Sequence, residues 1–153
     1  MNREGWPAWL PADFGTLWLV FPERNRLWEQ VARLGLFAGH ATQVVGPVPP
    51  GTLDGSDPAC ARLRAAARYA GADAAYLAGR AEAQDLVLWS AGSPSEEAAW
   101  SDLYRLLDQK GCYVLHWIVP DPTVAARYRD YLVRPDPDGR HRLVLDWDPD
   151  LFA

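Results

Sequence analysis

Short blocks of hydrophobic residues alternate along this chain with segments whose apolar positions recur at helical spacing. The block at residues 112–119 carries no formally charged residue and no turn former, and it is apolar on both faces. It is rich in β-branched and aromatic side chains, which suit a packed, pleated surface. A run without polar alternation is typical of a strand covered on both sides, as in a parallel sheet. The pattern therefore predicts a buried central strand.

Two predicted helices flank this strand. The first begins at Ser93, with Pro94 at the first helical position and Glu96 placed to complete a capping box, and it ends at Gly111. The second opens at Asp121-Pro122 and continues to about Leu132. Predicted strands at residues 85–90 and 143–147 complete a strand–helix–strand–helix–strand order, which is typical of crossover units in one sheet.

The first half of the chain continues the alternation. Its predicted elements are a strand at 16–21, a helix from Pro22 to about Gly35, a strand at 42–45, a helix from 58 to 70 that ends before Gly71, and a strand at 73–78. We therefore predict a single compact α/β domain with a mostly parallel sheet of five or six strands and about four helices. A ferredoxin-like α+β fold is the alternative, in which the strands at 85–90 and 112–119 pair antiparallel.

Composition narrows the class of protein. A length of 153 residues indicates one domain, which we place at residues 16–153 behind a Trp/Pro-rich arm at residues 1–15. The net charge of −5 makes a nucleic-acid partner unlikely. Two cysteines form neither a disulfide framework nor a zinc motif, and no apolar stretch has the length of a membrane span or a signal. We expect a soluble cytoplasmic protein without metal, cofactor or membrane partner.

Eight tryptophans and two proline-rich segments favour a role in recognition. Trp6 and Trp9 lie in the arm, and the segment at residues 46–51 reads Gly-Pro-Val-Pro-Pro-Gly, which is compatible with a polyproline II conformation. Tryptophan is enriched at protein interfaces. We therefore expect another protein to be bound through exposed Trp residues or the Pro-rich loop, as part of a small non-enzymatic binding or protein-interaction domain.

The alternative function is a small enzyme that acts on a phosphorylated or carboxylated metabolite. Open α/β sheets bind ligands outside the carboxyl ends of their strands, and polar residues follow the predicted strands there. Ser90 ends one of these strands and would converge with them, and Asp85, which borders a strand, could line the same pocket. No glycine-rich phosphate loop, Walker motif or Gly-x-Ser-x-Gly elbow is present. The candidate ligand-binding residues are Ser93, Asp121, Asp146 and Asp148.

Three further features have ordinary structural interpretations. His116 lies in the central strand four residues after Cys112, and four strand residues span ~13 Å, so the two side chains cannot form a dyad. We expect His116 to be a buried, hydrogen-bonded histidine. Arg64 and Arg68 lie four apart on one face of the predicted helix at 58–70. Such a pair could bind phosphate, although a solvated face explains it better in an acidic chain.

Overall fold

The computed structural model describes residues 11, 13–24, 26–72, 74–90, 103, 105–118 and 141–145, and at residues 74, 116–118 and 141–145 it describes the backbone alone. Six strands are described, and we number them in chain order. They are β1 Leu17–Val20, β2 Thr42–Val45, β3 Ala67–Gly71, β4 Leu86–Ser90, β5 Tyr113–Ile118 and β6 His141–Leu145. The described helices are α1 Leu27–Leu34, a 3₁₀ turn at Pro50–Thr52, α2 Pro58–Ala66, α3 Ala74–Arg80, and α4, of which residues 103 and 105–110 are described.

The six strands form one sheet in the order β3-β2-β1-β4-β5-β6. Every described pairing is parallel, including that of β4 with β5, where Leu86 lies beside Tyr113 and Ser90 beside Trp117. The predicted α/β class with a parallel sheet is therefore confirmed, and the ferredoxin-like alternative is wrong. This is the strand order of doubly wound, Rossmann-type sheets.

Each face of the sheet has its own hydrophobic core, because successive side chains of a strand point to opposite faces. In β1, Leu17 and Leu19 pack against α1 and α2, whereas Trp18 and Val20 pack against α3 and α4. All four residues of β1 are at most 1% exposed. Burial on both faces is the reason why the strands read as continuous apolar blocks and not as alternating ones.

One element boundary near the chain start differs from its prediction. Helix α1 begins at Leu27 and not at Pro22, because Phe21 and Arg26 adopt left-handed backbone conformations with φ of 55° and 57°. The intervening residues form a tight turn. The helix then ends at Gly35, whose φ of 67° closes its last turn as predicted.

The predicted helix at 58–70 is wrong beyond Ala66. There the chain passes without a loop into β3, whose backbone pairs with β2 from Thr42 and Ala67 onward. Alanine favours a helix by only a fraction of a kcal/mol per residue over most other residues, so the hydrogen bonds and packing of a sheet position can override it. The predicted strand at 73–78 is likewise wrong, because α3 occupies this segment and buries Leu77.

Candidate functional site

The strand order locates a candidate site at the carboxyl ends of β1 and β4. The chain leaves β1 toward β2 on one side, whereas β4 and β5 extend the sheet on the other side. Crossovers that diverge in this way leave a crevice outside the strand ends, and open α/β sheets bind ligands there. The described residues at this point are the turn between β1 and α1, called here the β1–α1 turn (residues 21–24 and 26), together with Ser90 at the end of β4.

Backbone hydrogen bonds close the β1–α1 turn on itself. The amide of Arg24 donates to the carbonyl of Phe21 at 3.2 Å, and that of Leu27 donates to the carbonyl of Arg24 at 3.1 Å. The amide of Trp28 donates to the carbonyl of Pro22 at 3.0 Å. These amides are therefore already engaged, whereas a Rossmann-type glycine loop leaves its amides for a pyrophosphate. These three amides are therefore not offered to a pyrophosphate.

Ser90 joins this turn to the neighbouring strand. Its side chain is fully buried, and the hydroxyl donates to the carbonyl of Arg24 at 3.0 Å, just beyond the end of the neighbouring strand β1. The hydrogen bond holds the middle of the turn over the end of β4. The side chains of the turn are therefore the groups that it can offer to a ligand.

Three charged side chains extend from the β1–α1 turn. The guanidinium of Arg24 lies over the ring of Phe21, 4.9 Å from its centroid, and its Nε is 3.8 Å from Oε1 of Glu23. Oε2 of Glu23 is buried and accepts no hydrogen bond from the residues that the structure describes. Arg26 is exposed. The turn therefore offers two guanidinium groups and one buried carboxylate oxygen that no described donor engages.

The four predicted ligand-binding residues do not lie in the described part of the chain. Ser93, Asp121, Asp146 and Asp148 all fall outside it, so their proximity stays a prediction. The expectation that Asp85 joins them is wrong. Asp85 precedes β4, and in a parallel sheet the amino end of β4 lies at the opposite edge from the carboxyl ends of β5 and β6.

Asp85 instead has a structural role at the amino edge of the sheet. It is 5% exposed. Its Oδ1 accepts a hydrogen bond from the amide of Thr16 at 2.9 Å. Its Oδ2 accepts from Nε1 of Trp18 at 3.0 Å and from the amide of Glu82 at 2.9 Å. The carboxylate thus ties the start of β1 to the chain before β4 and has little capacity left for a ligand.

The described cysteines do not have the properties of nucleophiles. Both thiols are buried. Burial, with a smaller contribution from Asp57, raises the pKa of Cys60 to about 11. Burial, with a smaller contribution from Asp85, raises the pKa of Cys112 to about 11. Since the thiolate is the reactive form, both are inert thiols at neutral pH.

The other described candidates serve the fold. His40 stacks on Phe14, with ring centroids 3.8 Å apart, and its Nδ1 lies 3.0 Å from the carbonyl of Gly15 at the amino edge. It is therefore remote from the carboxyl edge in the sheet topology. Within the described residues no group of three His, Cys, Asp or Glu side chains could hold a metal ion. His116 has only its backbone described, in β5.

Three tryptophans with described side chains belong to the core. Trp18, Trp28 and Trp89 are each at most 4% exposed. Nε1 of Trp28 donates to the carbonyl of Asp54 at 2.8 Å and so anchors the loop that contains the Pro-rich segment. In that segment Pro49 has polyproline II angles of −65° and 150°, but Pro50 already begins the 3₁₀ turn. The Trp and Pro content of the described part thus has a structural explanation.

A shallow groove of about 380 Å³ lies between the 3₁₀ turn and the outer side of α2. The guanidinium of Arg64 covers Gly55 so closely that a Cβ on Gly55 would lie 2.8 Å from it. The groove is open and lined by small residues. Its lining residues are Gly51, Gly55, Ala61, Arg64 and Ala65.

No protein-family model matches the chain, and neither the curated proteins nor the solved structures include one that is significantly similar to it. Within the described residues, no helix has the length and apolar character needed to cross a bilayer.

The β1–α1 turn was missed when the sequence was read. Its charged residues Glu23, Arg24 and Arg26 lie in a segment predicted to be the first turn of a helix, where they read as a solvated face. The strand order is what gives them significance, because it places them at the point where the crossovers diverge. Sequence patterns do not report strand order, so the position of these three residues in the sheet could not be predicted from the sequence.

Proposed function

We propose that this chain is a small non-enzymatic binding domain for a carboxylated or phosphorylated metabolite, which binds outside the carboxyl ends of β1 and β4. The observation that carries the proposal is the all-parallel order β3-β2-β1-β4-β5-β6, whose direction of winding changes between β1 and β4. Ligand sites of doubly wound sheets lie at this position. It is the general site of the architecture and does not depend on a sequence motif.

The charges of the β1–α1 turn support an anionic ligand. Arg24 and Arg26 lie in this one turn of a chain whose net charge is −5. Guanidinium groups present planar, paired donors that match carboxylate and phosphate oxygens. The buried Oε2 of Glu23 is an acceptor for a hydroxyl or amino group on the same ligand. We therefore expect a ligand that carries an anionic group next to a hydrogen-bond donor, as a hydroxycarboxylate or a sugar phosphate does.

Binding without catalysis is favoured by what the described residues offer. Both cysteines are held as thiols by burial. The carboxylate of Asp85 accepts three hydrogen bonds at the other edge of the sheet. A general base or nucleophile needs direct or water-mediated contact with the reacting group, and neither the cysteines nor Asp85 is placed to give it at the carboxyl ends of β1 and β4. Of the described carboxylates, that of Glu23 lies there, and the proposal gives it a binding role.

A ligand panel tests the proposal. The purified full chain is titrated with citrate, pyrophosphate, glucose 6-phosphate and AMP, and binding is measured by isothermal titration calorimetry. The variant Arg24→Gln/Arg26→Gln is compared with Arg33→Gln, a control at the other end of α1 where Arg33 pairs with Glu29. Loss of a charge-assisted hydrogen bond costs about 1.5–3 kcal/mol, so we expect Kd to rise about tenfold or more in the double variant and to stay unchanged in the control.

Two results would overturn the proposal. One is the absence of binding to every member of the panel by the wild-type chain. The other is equal binding by wild type and the Arg24→Gln/Arg26→Gln variant, which would place the ligand elsewhere. Turnover of a bound panel member, followed by ³¹P or ¹H NMR, would replace the binding function with the enzymatic alternative.

A further inference from the structure

Strand β3 forms one border of the described sheet and pairs there with β2 alone. Arg68 and Tyr69 in its middle are both exposed, and Tyr69 retains 43% of its accessible surface. A border strand presents a row of backbone N–H and C=O groups that have no ladder partner. Such a row can accept an extended peptide as an additional strand.

The segment of α2 and β3 carries only positive formal charges, between Asp57 and Asp73 at its two ends. Residues 58–72, which comprise α2 and β3, contain three arginines and neither aspartate nor glutamate. Arg62, Arg64 and Arg68 are all exposed, and none of them forms an ion pair or hydrogen bond within the described part of the chain. Unpaired arginines at one border of a chain with a net charge of −5 make a local surface that attracts acidic groups.

The groove beside α2 extends this surface. The 3₁₀ turn that forms one wall of the groove also contacts β3. Tyr69 lies on the α2 face of the sheet, since it pairs with Val44, and its hydroxyl donates to the carbonyl of Gly46 at 2.5 Å. The hydrogen bond fixes the exposed ring in place. Arg64 therefore lies in the groove on the α2 side of the sheet, and Arg68 lies on the opposite face of β3.

We propose that β3, with Arg64 and Arg68, is a docking site for an extended acidic segment of a partner protein, which adds to the sheet as a further strand. The side of β3 that has no partner among the described strands supplies backbone hydrogen bonds. Alternate side chains of an added strand share one face, so alternating carboxylates would meet Arg68 on one face or Arg64 on the other, according to the register. A second copy of this chain is a poorer occupant, because pairing β3 with itself would bring the same arginines together. A nucleic acid would leave the backbone groups of the border unused.

The test uses the ¹⁵N-labelled full chain and a capped eight-residue peptide of alternating glutamate and threonine. We expect saturable shifts of the backbone amide signals of Ala67–Gly71 in ¹H–¹⁵N spectra. Arg64→Glu/Arg68→Glu should raise the peptide Kd at least tenfold. Arg105→Glu, a charge reversal at an exposed position of α4, should leave it unchanged. If the double variant does not fold, a NaCl titration of the wild-type complex gives the same test, because the Kd should rise with ionic strength.

Several results would contradict this site. One is binding of the Glu-Thr peptide no tighter than that of a Lys-Thr peptide of the same length. Another is a Glu-Thr peptide that leaves the amide signals of β3 unchanged. Shifts caused by a single-stranded oligonucleotide but not by the peptide would assign the patch to nucleic acid. In each of these cases the arginines would only protect the border from aggregation. The small-ligand site at β1 and β4 involves other residues, so either proposal can fail alone.

Discussion

Replacement of Asp85 gives the most direct test of how the amino edge of the sheet is held. The substitution Asp85→Ala would leave three donors without their acceptor: the amides of Thr16 and Glu82 and Nε1 of Trp18. An unsatisfied buried donor costs about 1–3 kcal/mol. The amide of Glu82 is only partly buried, so leaving it unpaired costs less than it would for a fully buried donor. For all three donors together we expect the free energy of unfolding to fall by about 3–5 kcal/mol. Total stability of a domain is about 5–15 kcal/mol, so this loss is a large fraction of it.

Asp85→Asn keeps the shape of the side chain and changes only its hydrogen-bonding groups. Its one carbonyl oxygen can serve the donors on one side only, while its NH₂ group faces the donors on the other side. We expect a loss of about 2–3 kcal/mol. Urea unfolding followed by tryptophan fluorescence and far-ultraviolet circular dichroism measures both variants. Asp13→Asn, at an exposed position, is the control and should change stability by less than about 0.5 kcal/mol. A loss below about 1 kcal/mol for Asp85→Asn at an unchanged denaturant slope would refute the reasoning.

Gly15 provides an independent check of the same carboxylate. A Cβ placed on Gly15 would lie 2.5 Å from Oδ1 of Asp85. Gly15→Ala should therefore destabilise the wild-type chain, because the carboxylate must move away from its donors. In the Asp85→Ala background the same substitution should cost much less. Equal costs in the two backgrounds would show that the two residues are not coupled in the way that the structure indicates.

Other predictions concern the thiols and two helix ends. Burial raises the pKa of Cys60 and Cys112 from 9.0 to about 11. As the pH rises, the unfolded chain therefore loses these protons at a lower pH than the folded chain does. The free energy of unfolding should fall between about pH 9 and pH 11. Urea unfolding at pH 8, 9.5 and 11 should show a smaller fall in Cys112→Ala, and an equal fall would contradict the assignment. Asp57→Ala removes the acceptor that caps α2 through the amide of Cys60 at 2.8 Å, and it should cost about 1 kcal/mol in urea unfolding. Lys110→Met removes two hydrogen bonds from Nζ to carbonyls at the end of α3 and should cost about 1–2 kcal/mol, whereas an unchanged midpoint would assign that lysine to the surface.

The class of fold could be predicted because buried parallel strands leave a strong sequence signal. The apolar blocks at residues 17–20 and 86–90 are buried on both faces, and their continuous apolar composition is the sign of it. The block at residues 113–118 has the same composition. The pairing of β4 with β5 had two alternatives that the alternation of elements alone could not separate. Their parallel register in the structure decides between them.

The alanine-rich segment at residues 58–80 could not be assigned correctly from its sequence. Alanine suits a helix, and the segment lacks the β-branched residues that mark a strand. Strand β3 forms there because β2 supplies a backbone partner for it, and such pairing is not encoded locally. The same error placed Arg64 and Arg68 on one helical face, whereas the structure has Arg64 on α2 and Arg68 on β3.

The candidate site could be predicted in its general position and not in its residues. The carboxyl edge of the sheet follows from the α/β class, and the alternative function, a small enzyme, placed its ligand there. The part of this edge at which the crossovers diverge depends on strand order, which places Arg24 and Arg26 beside the end of β4. Asp85 was grouped with the carboxyl edge because it borders a strand, although it lies at the amino end of that strand.

The measurement that tests the proposed binding site most directly is a titration of the ¹⁵N-labelled wild-type chain with citrate and with pyrophosphate, followed in ¹H–¹⁵N spectra. We expect saturable shifts in the amide signals of the β1–α1 turn and of Ser90, with the signals of β3 unchanged. Such a pattern would place the ligand at the carboxyl ends of β1 and β4. Shifts confined to α2 and β3, or no saturable shift with either anion, would contradict the account.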